Sequence, residues 1–502
     1  MLTRKNIFVI IGIITFLLIS IFADLKPGEP AITYTLAIAV LMAIWWASEA
    51  VPIGVTALLP VILFPLFGIM DGKDVSAAYI NHIIFLFIGG FLMAIAMEKH
   101  NLHRRIALKI LLLTGTGFAK VLFGFMLATA FLSMWMSNTA TAMMMVPVAI
   151  SIISKSGEYL EKNDAVKYST GLLFGIAYGA SIGGIATLLG TPPNLSFTRI
   201  FSIIFPEAPE ISFTQWFVFA LPISMVMFFI AWVLLYFMYR PKNEVSGSDE
   251  IIEKQYSKLK IMSYDEKAIL FMFITLALLW IFRAGVKFDS FNIPGWVELF
   301  NKPKYINDGT VAIVVAFILY LIPSKNPNYT RLLETGDIAK LPWHIVLLFG
   351  GGFALAQGFV ESGLAIWFGE QLQFIGQLPP LLIIALTALL MSFLTELTSN
   401  TATTEMILPI LAGIAVKIQV NPLVLMLPAT LAASLAFMLP VATPPNAVVF
   451  GTNKLKVIDM VRTGVWLNFI GVAIVTTGVY FFAIYVFDID ITEMPEWAVI
   501  ND

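Results

Sequence analysis

No cysteine occurs in the 502 residues, which excludes a disulfide frame, thiol catalysis and any Cys-ligated metal. Histidine is almost as scarce, and four residues are too few for a His-rich metal centre. Charge is the third shortage. Lys, Arg, Asp and Glu make up 12% of the chain, against about 25% in a soluble domain. Hydrophobic residues make up 59%. So few charges could not cover a soluble surface of this size, so much of the surface must face lipid; a mean hydropathy of +0.88 agrees. The net charge of −2 offers no basic field for nucleic acid.

What is present is a succession of apolar segments. A bilayer span needs about 20 residues, within a range of about 17–25. Continuous candidates lie near 7–23, 33–48, 52–70, 82–98, 215–239, 267–284, 309–323, 343–360 and 464–487. No small-residue cleavage site follows the first of these, so it reads as a retained span. Four longer stretches carry polar or Pro-rich breaks inside apolar flanks. Lipid has no water to satisfy freed backbone groups, so such breaks survive only when buried in protein or lining a cavity. Residues 106–154 and 378–416 are therefore expected as re-entrant hairpins, and 168–196 and 422–452 as unwound spans. The sum is an all-α polytopic membrane protein of eleven spans plus two hairpins.

The basic residues orient this arrangement. With the N-terminus in the cytoplasm, 21 Lys and Arg fall in inner loops and 8 in outer loops, the asymmetry expected of a membrane protein. Arg199, Arg283 and Lys304 are among the outer eight, and Lys120 falls in a hairpin. The C-terminal tail, with Asp488, Asp490 and Glu493 and no basic residue, suits the outside.

The chain also repeats itself. The stretch from His82-Ile83 to Gly89-Gly90-Phe91 matches that from His344-Ile345 to Gly351-Gly352-Phe353, at an offset of 262. Ser137-Asn138-Thr139-Ala140-Thr141 matches Ser399-Asn400-Thr401-Ala402-Thr403, and Pro147 matches Pro409, at the same offset. Gly190-Thr191-Pro192-Pro193-Asn194 then pairs with Ala442-Thr443-Pro444-Pro445-Asn446 at a shorter spacing. An odd number of spans between the copies inverts the second. The expected organisation is an N-terminal helix at 1–32, a first inverted repeat at 33–240, a cytoplasmic linker at 241–266, a second repeat at 267–487 and an external tail at 488–502. Inverted repeats with interrupted segments at matching positions point to a midplane transport site.

The two motifs suit ions of opposite sign. Hydroxyl, amide and carbonyl oxygens at a Ser-Asn-Thr tip suit a hard cation, while helix N-termini and N–H groups suit a carboxylate. Each proline of Thr-Pro-Pro removes a donor and frees a carbonyl behind it, here at Gly190 and Ala442. Two related cation cradles would thus flank one anion site. No arginine sits in the central motifs, so the anion's charge would be offset by bound cations and helix dipoles.

Together with Ser48-Glu49-Ala50-Val51-Pro52-Ile53-Gly54, these paired motifs resemble the divalent anion/sodium symporter family over nearly the whole chain. The resemblance implies a homodimeric elevator carrier in which a scaffold domain holds the dimer and a transport domain carries the hairpins. It implies one Na⁺ site from Ser133, Ser137, Asn138 and Gly190, and another from Thr395, Thr398, Asn400 and Ala442. Substrate contacts are implied at Asn138, Thr139, Thr191, Asn400, Thr401, Thr443 and Pro444. The implied cargo is a C4 dicarboxylate such as succinate, malate or fumarate, co-transported with Na⁺ through a cell membrane. Two alternatives share the fold: a sodium-independent dicarboxylate exchanger and a sulfate or phosphate carrier. An intramembrane enzyme would need a nucleophile–base pair or metal cluster that the spans lack, and a channel is disfavoured by two opposed hairpins with no continuous polar stripe.

Other residues are weighed on their setting. His82 and His344 read as interfacial helix-start residues rather than a proton relay. Trp45, Trp46 and Trp343 are expected in aromatic belts, Met143-Met144-Met145 in packing, and Gly89-Gly90 and Gly351-Gly352 at close helix contacts. Glu396 and Glu405 flank the second Ser-Asn-Thr. Glu396, nearer the expected ion site, is the stronger candidate for tuning it, whereas Glu405 aligns with Met143 and so lies outside the shared machinery.

Overall fold

A computed structural model describes residues 3–157, 160–242, 248–287, 292–491 and 493–499. The expected linker 241–266 and tail 488–502 therefore fall partly outside the described residues, as do the first two residues of the N-terminal helix. The chain opens with α1 (Arg4–Phe22) and α2 (Pro30–Ser48), then α3 (Ile53–Thr56), α4 (Leu59–Leu66) and α5 (Gly72–Ala78). There follow α6 (His82–Lys99), α7 (Leu102–Thr114), α8 (Phe118–Ser133), α9 (Asn138–Gly157), α10 (Lys162–Ile185), α11 (Pro192–Ile204) and α12 (Phe213–Tyr239). After α13 (Ser248–Ser257) come α14 (Tyr264–Ile281), α15 (Asp308–Leu321), α16 (Thr335–Ile338), α17 (Trp343–Glu361) and α18 (Leu364–Gln371). The last are α19 (Pro380–Leu394), α20 (Asn400–Lys417), α21 (Leu423–Ala432), α22 (Pro444–Phe450) and α23 (Val457–Phe487). A two-residue antiparallel pair, Val286–Lys287 with Asn292–Ile293, lies before α15.

Among the described residues, seven helices are long and apolar enough to cross a membrane, where the sequence reading counted eleven spans. The difference falls on segments that are broken, short or diluted. Residues 52–70, expected as one span, form α3 and α4 with a turn between them. Pro60, in the first turn of α4, has no N–H to continue a helix from α3, and Trp46 Nε1 adds a second donor to the Ile53 carbonyl at 3.1 Å, beside Ala57 N–H. Trp46 is thus a buried brace and not a belt residue, while Trp45 packs over Gly12 of α1 and Trp343 is exposed. Residues 106–154 also divide. Gly115 and Gly117, both at positive φ, turn the chain between α7 and α8, so the hairpin arms are α8 and α9 and α7 is a separate helix. Residues 378–416, expected as the second hairpin, hold α19 and α20. α23 begins seven residues before the expected 464. Arg199, placed in an outer loop from the sequence, lies within α11.

α10 is the centre of the packing. It is buried from Tyr168 to Ile185, which explains a composition too rich in glycine and hydroxyls for a lipid-facing helix. Gly171, Gly175, Gly179 and Gly183 recur every fourth residue and face α8. A Cβ at Gly183 would lie 2.2 Å from Ala130 O, so only glycine admits this approach. Of the two glycine pairs singled out above, Gly89 meets Ala312 of α15 and Gly351 meets Ala57. The first hairpin arm α9 packs on α22, and the second arm α20 packs on α11, so each motif's helix rests on the other half of the chain. His82 and His344 are both exposed in first helical turns. Met145 is buried and Met143 is 60% exposed.

Away from the apolar core, Lys99 at the end of α6 ties down the loop before α17. Its ammonium lies 2.8 Å from Asp337 and 3.2 Å from Glu334. Hydrogen bonds from the Thr330 N–H and hydroxyl, and then from Lys99, hold the Glu334 carboxyl below its ordinary value. For Asp337 burial acts upward, but hydrogen bonds from Lys340 and Lys99 outweigh it and the shift is downward. Carboxyls depressed in the folded state contribute stability above their unfolded values, near 4, and lose it as pH falls through the folded ones. Lys99→Met is therefore expected to lower the unfolding midpoint by about 2 °C at pH 7, with the gap to wild type closing near pH 3. Thermal unfolding in detergent across that range checks this; an equal gap at both ends would refute it.

Candidate functional site

Each hairpin turns where an apolar helix meets Ser-Asn-Thr. In the first, Ser133 ends α8 and Asn138 begins α9. Ser133 Oγ lies against Asn138 Oδ1 and 2.8 Å from the carbonyl of Ala180 on α10. In the second, Thr395 Oγ1 lies 2.6 Å from Asn400 Oδ1 and 3.0 Å from Ala433 O. The two constellations match atom for atom: a hydroxyl, an amide oxygen and a backbone carbonyl. Three oxygens share a single hydroxyl hydrogen in each, so at least one oxygen pair faces without a proton between. A hard cation answers that deficit. The described residues hold no cluster of three or more His, Cys, Asp or Glu side chains able to bind a metal.

The broken span completes the first constellation. A Cβ built on Gly184 would stand 2.8 Å from Asn138 Oδ1 and 3.0 Å from Gly190 O, so both converge on the space that glycine leaves open. The structure therefore brings together Ser133, Asn138 and Gly190 of the expected first site. Ser137 does something else: its Oγ accepts from Ala140 N at 3.1 Å and caps α9. In the second site Thr395 and Asn400 meet. The Thr398 hydroxyl is 2.9 Å from Leu394 O and 2.5 Å from the Thr403 hydroxyl, which occupies it within the hairpin. Ala442 is buried at the end of the second break.

Of the expected substrate contacts, Asn138, Thr139 and Asn400 are half-buried and Pro444 is exposed, whereas Thr191, Thr401 and Thr443 are buried. Ser434 Oγ reaches Thr191 Oγ1 at 3.4 Å, so the two broken segments touch. Thr443 caps α22 by accepting from Asn446 N at 3.4 Å.

Several residues that hold the site escaped the sequence reading. The asparagine after each Pro-Pro staples the break behind it. Asn194 Nδ2 donates to Thr187 O at 2.7 Å, with Ile185 O and Gly184 O further off. Asn446 Nδ2 donates to Leu439 O at 3.0 Å and Ala436 O at 3.1 Å. The paired occurrence of both asparagines was the available signal. Thr187 Oγ1 donates to Met134 O at 2.5 Å, fixing the first break to its hairpin tip. The second break, 433–443, is longer than the first, 186–191, and frees more donors. Glu396 answers them. Its Oε1 accepts from Phe437 N (2.7 Å), Met438 N (2.9 Å) and Asn468 Nδ2 (2.8 Å), and its Oε2 from Leu439 N (3.0 Å). Tyr178 OH donates to Phe437 O at 3.0 Å. Glu405 is buried between α20 and α11, where Ser196 Oγ donates to it at 2.5 Å.

Comparison with known proteins bears on this geometry. The profile of the sodium:sulfate symporter transmembrane region matches residues 3–487. A protein of Staphylococcus saprophyticus named sodium-dependent dicarboxylate transporter SdcS is 41% identical over 467 residues, covering 92% of this chain and 88% of that one. The Staphylococcus aureus protein of the same name is 41% identical over 498 residues, covering 98% and 94%. Two solved structures share the fold at low identity. Neisseria gonorrhoeae MtrF, titled as illuminating a class of antimetabolite efflux pumps, aligns with a TM-score of 0.60 at 13% identity, covering 96% of this chain and 99% of that one. The Alcanivorax borkumensis YdaH transporter aligns with a TM-score of 0.58 at 11% identity, covering 89% and 98%. The fold is thus that of an all-helical, polytopic membrane transporter.

Proposed function

The chain belongs to the sodium:sulfate symporter family, a family of transporters and not of enzymes, and from there we propose that it imports small dicarboxylates driven by the Na⁺ gradient. The observation that carries this reading is the twinned oxygen cluster, Ser133–Asn138–Ala180 and Thr395–Asn400–Ala433. Na⁺ is co-transported cargo in this scheme. One ion would take Ser133, Asn138 and Gly190, with Ser137 bracing the tip; the other would take Thr395, Asn400 and the Ala442 carbonyl, with Thr398 beside it. A dicarboxylate would lie between them, against Asn138, Thr139, Thr191, Asn400, Thr401, Thr443 and Pro444. Two bound cations offset two carboxylates where the motifs supply no arginine. The names of the staphylococcal relatives favour dicarboxylates over sulfate, and C4 acids such as succinate, malate and fumarate are the proposed cargo.

The finer architecture belongs to the same proposal. The halves 33–240 and 267–487 are inverted repeats, with hairpins and broken spans as their moving core. Elevator motion within a homodimer carries that core across the membrane, with the N-terminus inside and the C-terminal tail outside. The matching hydrogen bonds at the two tips, and each arm packed on the opposite half, support this reading.

The test is uptake of labelled succinate into proteoliposomes, with an inward Na⁺ gradient against K⁺ or choline. Uptake that requires Na⁺ is expected. Sodium-independent uptake stimulated by internal dicarboxylate would instead mean an exchanger. At the second cation site, Thr395→Ser is expected to keep Na⁺ affinity within about two-fold, since serine fills this position in the first half. Thr395→Val, equal in shape but without the oxygen, is expected to raise the half-saturating Na⁺ concentration by about ten-fold, from roughly 1.4 kcal/mol of lost coordination. Equal Na⁺ curves for the two variants would remove Thr395 from the ion site.

A further inference from the structure

We propose that a cavity beside the first broken span is an anion-collecting vestibule whose charge is set by Arg199. The cavity has a volume of about 340 Å³, within the range of small-molecule sites (about 300–1,000 Å³). Its walls include His82, Thr198, Ser202, Lys304 and Asn307, and it reaches Leu188, two residues before Gly190. It therefore backs directly onto the segment that shapes the first ion site.

The charges in and around it are unevenly matched. Glu210 and Asp308 line the cavity, but Arg283 holds both: Nη2 lies 2.8 Å from Glu210 Oε1 and Nε 2.5 Å from Asp308 Oδ1. Arg199 has no such partner among the described residues. Its Nη1 donates to Ser202 Oγ at 3.3 Å, and its Nε is buried without an acceptor. Arg199 also lies near enough to act on the charge of His82, which lines the cavity. Arg199 is half-buried and does not itself line the cavity, but it donates to Ser202, which does. Arg283 offsets one of the two carboxylates and Lys304 the other, so among these described residues Arg199 supplies the cation in excess.

Arg199 lies seven residues past Pro192, about 10 Å along α11, and the corresponding position in the second copy is Gly451, so the cation is particular to the first half. A negatively charged cargo arriving at this face would be concentrated by the focused potential of the cavity before it reaches the motifs. The inference rests on the reading that the cargo is a dicarboxylate or another small anion, and it assigns the vestibule carboxylate-type ligands.

Because the chain has no cysteine, a single probe thiol reports the potential without reference to transport. Ala208 lines the cavity. In Ala208→Cys protein in proteoliposomes, a sulfonated methanethiosulfonate is expected to react faster relative to a trimethylammonium one than with a free thiol. Adding Arg199→Gln should lower that ratio about five-fold or more. In transport, Arg199→Gln should raise the succinate KM at the face where the cavity opens about ten-fold, with Vmax within two-fold, and Arg199→Lys should restore it. An unchanged labelling ratio overturns the assigned charge. A changed ratio with an unchanged KM overturns the role in cargo capture. Should succinate not be carried at all, the labelling ratio alone judges the vestibule, so failure of the cargo reading does not mask the result.

Discussion

Asn400→Ala is expected to abolish sodium-driven dicarboxylate uptake, by about 100-fold or more, while the protein remains folded and in the membrane. Asn400 is half-buried at a hairpin tip, and its Oδ1 stands 2.6 Å from Thr395 Oγ1. Alanine keeps the backbone that starts α20, and alanine is a good helix former, so folding should survive. What is lost is an oxygen facing the proposed cation and an amide donor facing the proposed anion. A hydrogen bond or ligand contact to a charged group is worth about 1.5–3 kcal/mol, and the loss of both contacts accounts for two decades or more. Asn138→Ala is expected to do the same, because Ser133 and Ala180 surround it as Thr395 and Ala433 surround Asn400. The measurement is Na⁺-dependent uptake at matched reconstituted protein, with monodispersity by size exclusion. Wild-type uptake in either variant would remove that asparagine from the site.

Glu396→Ala should instead unfold the protein. The carboxylate accepts from three consecutive backbone N–H groups and from Asn468, all buried or partly buried around the second break. Phe437 N–H keeps a second acceptor in Asn468 Oδ1 at 3.3 Å, so three donors are orphaned; each costs about 1–3 kcal/mol, and together they take a large part of a protein's marginal stability, about 5–15 kcal/mol. The expected result is little protein in the membrane, or a midpoint more than about 10 °C lower. Glu396→Gln separates a cradle from an ion ligand. Its amide oxygen can replace Oε1 and its three donors, leaving only Leu439 N–H opposed. As a cradle, Gln should be mildly destabilised and keep its Na⁺ dependence. A Gln variant of normal stability but without Na⁺ coupling would make Glu396 part of the ion site.

Glu396 also shows where sequence reading stopped. Its position beside the second Ser-Asn-Thr flagged it for tuning the ion site, yet its contacts are to the break. Asn468 lies 72 residues further along and gave no local sign. Tyr178 reads as one more aromatic in an apolar helix, but its hydroxyl supports Phe437, 259 residues away. Trp46 misled in the opposite direction, because a tryptophan at a span end resembles an interface anchor until its indole N–H is found on Ile53 O. Residues 52–70 looked continuous because proline was not given its full weight as a break.

The sequence by itself determined the membrane setting, the helical class and the doubled motif. Hydropathy over about 20 residues reports the solvent a segment must meet, and a constant offset of 262 joins the matching motifs. Both are properties of order along the chain. The tertiary structure alone decided which oxygens converge, since Ala180 and Ala433 entered only through carbonyls brought to the tips by packing. It also decided which charges are satisfied. Arg283 and Arg199 look alike as isolated basic residues, and only the placement of Glu210 and Asp308 around the first leaves the second unpaired.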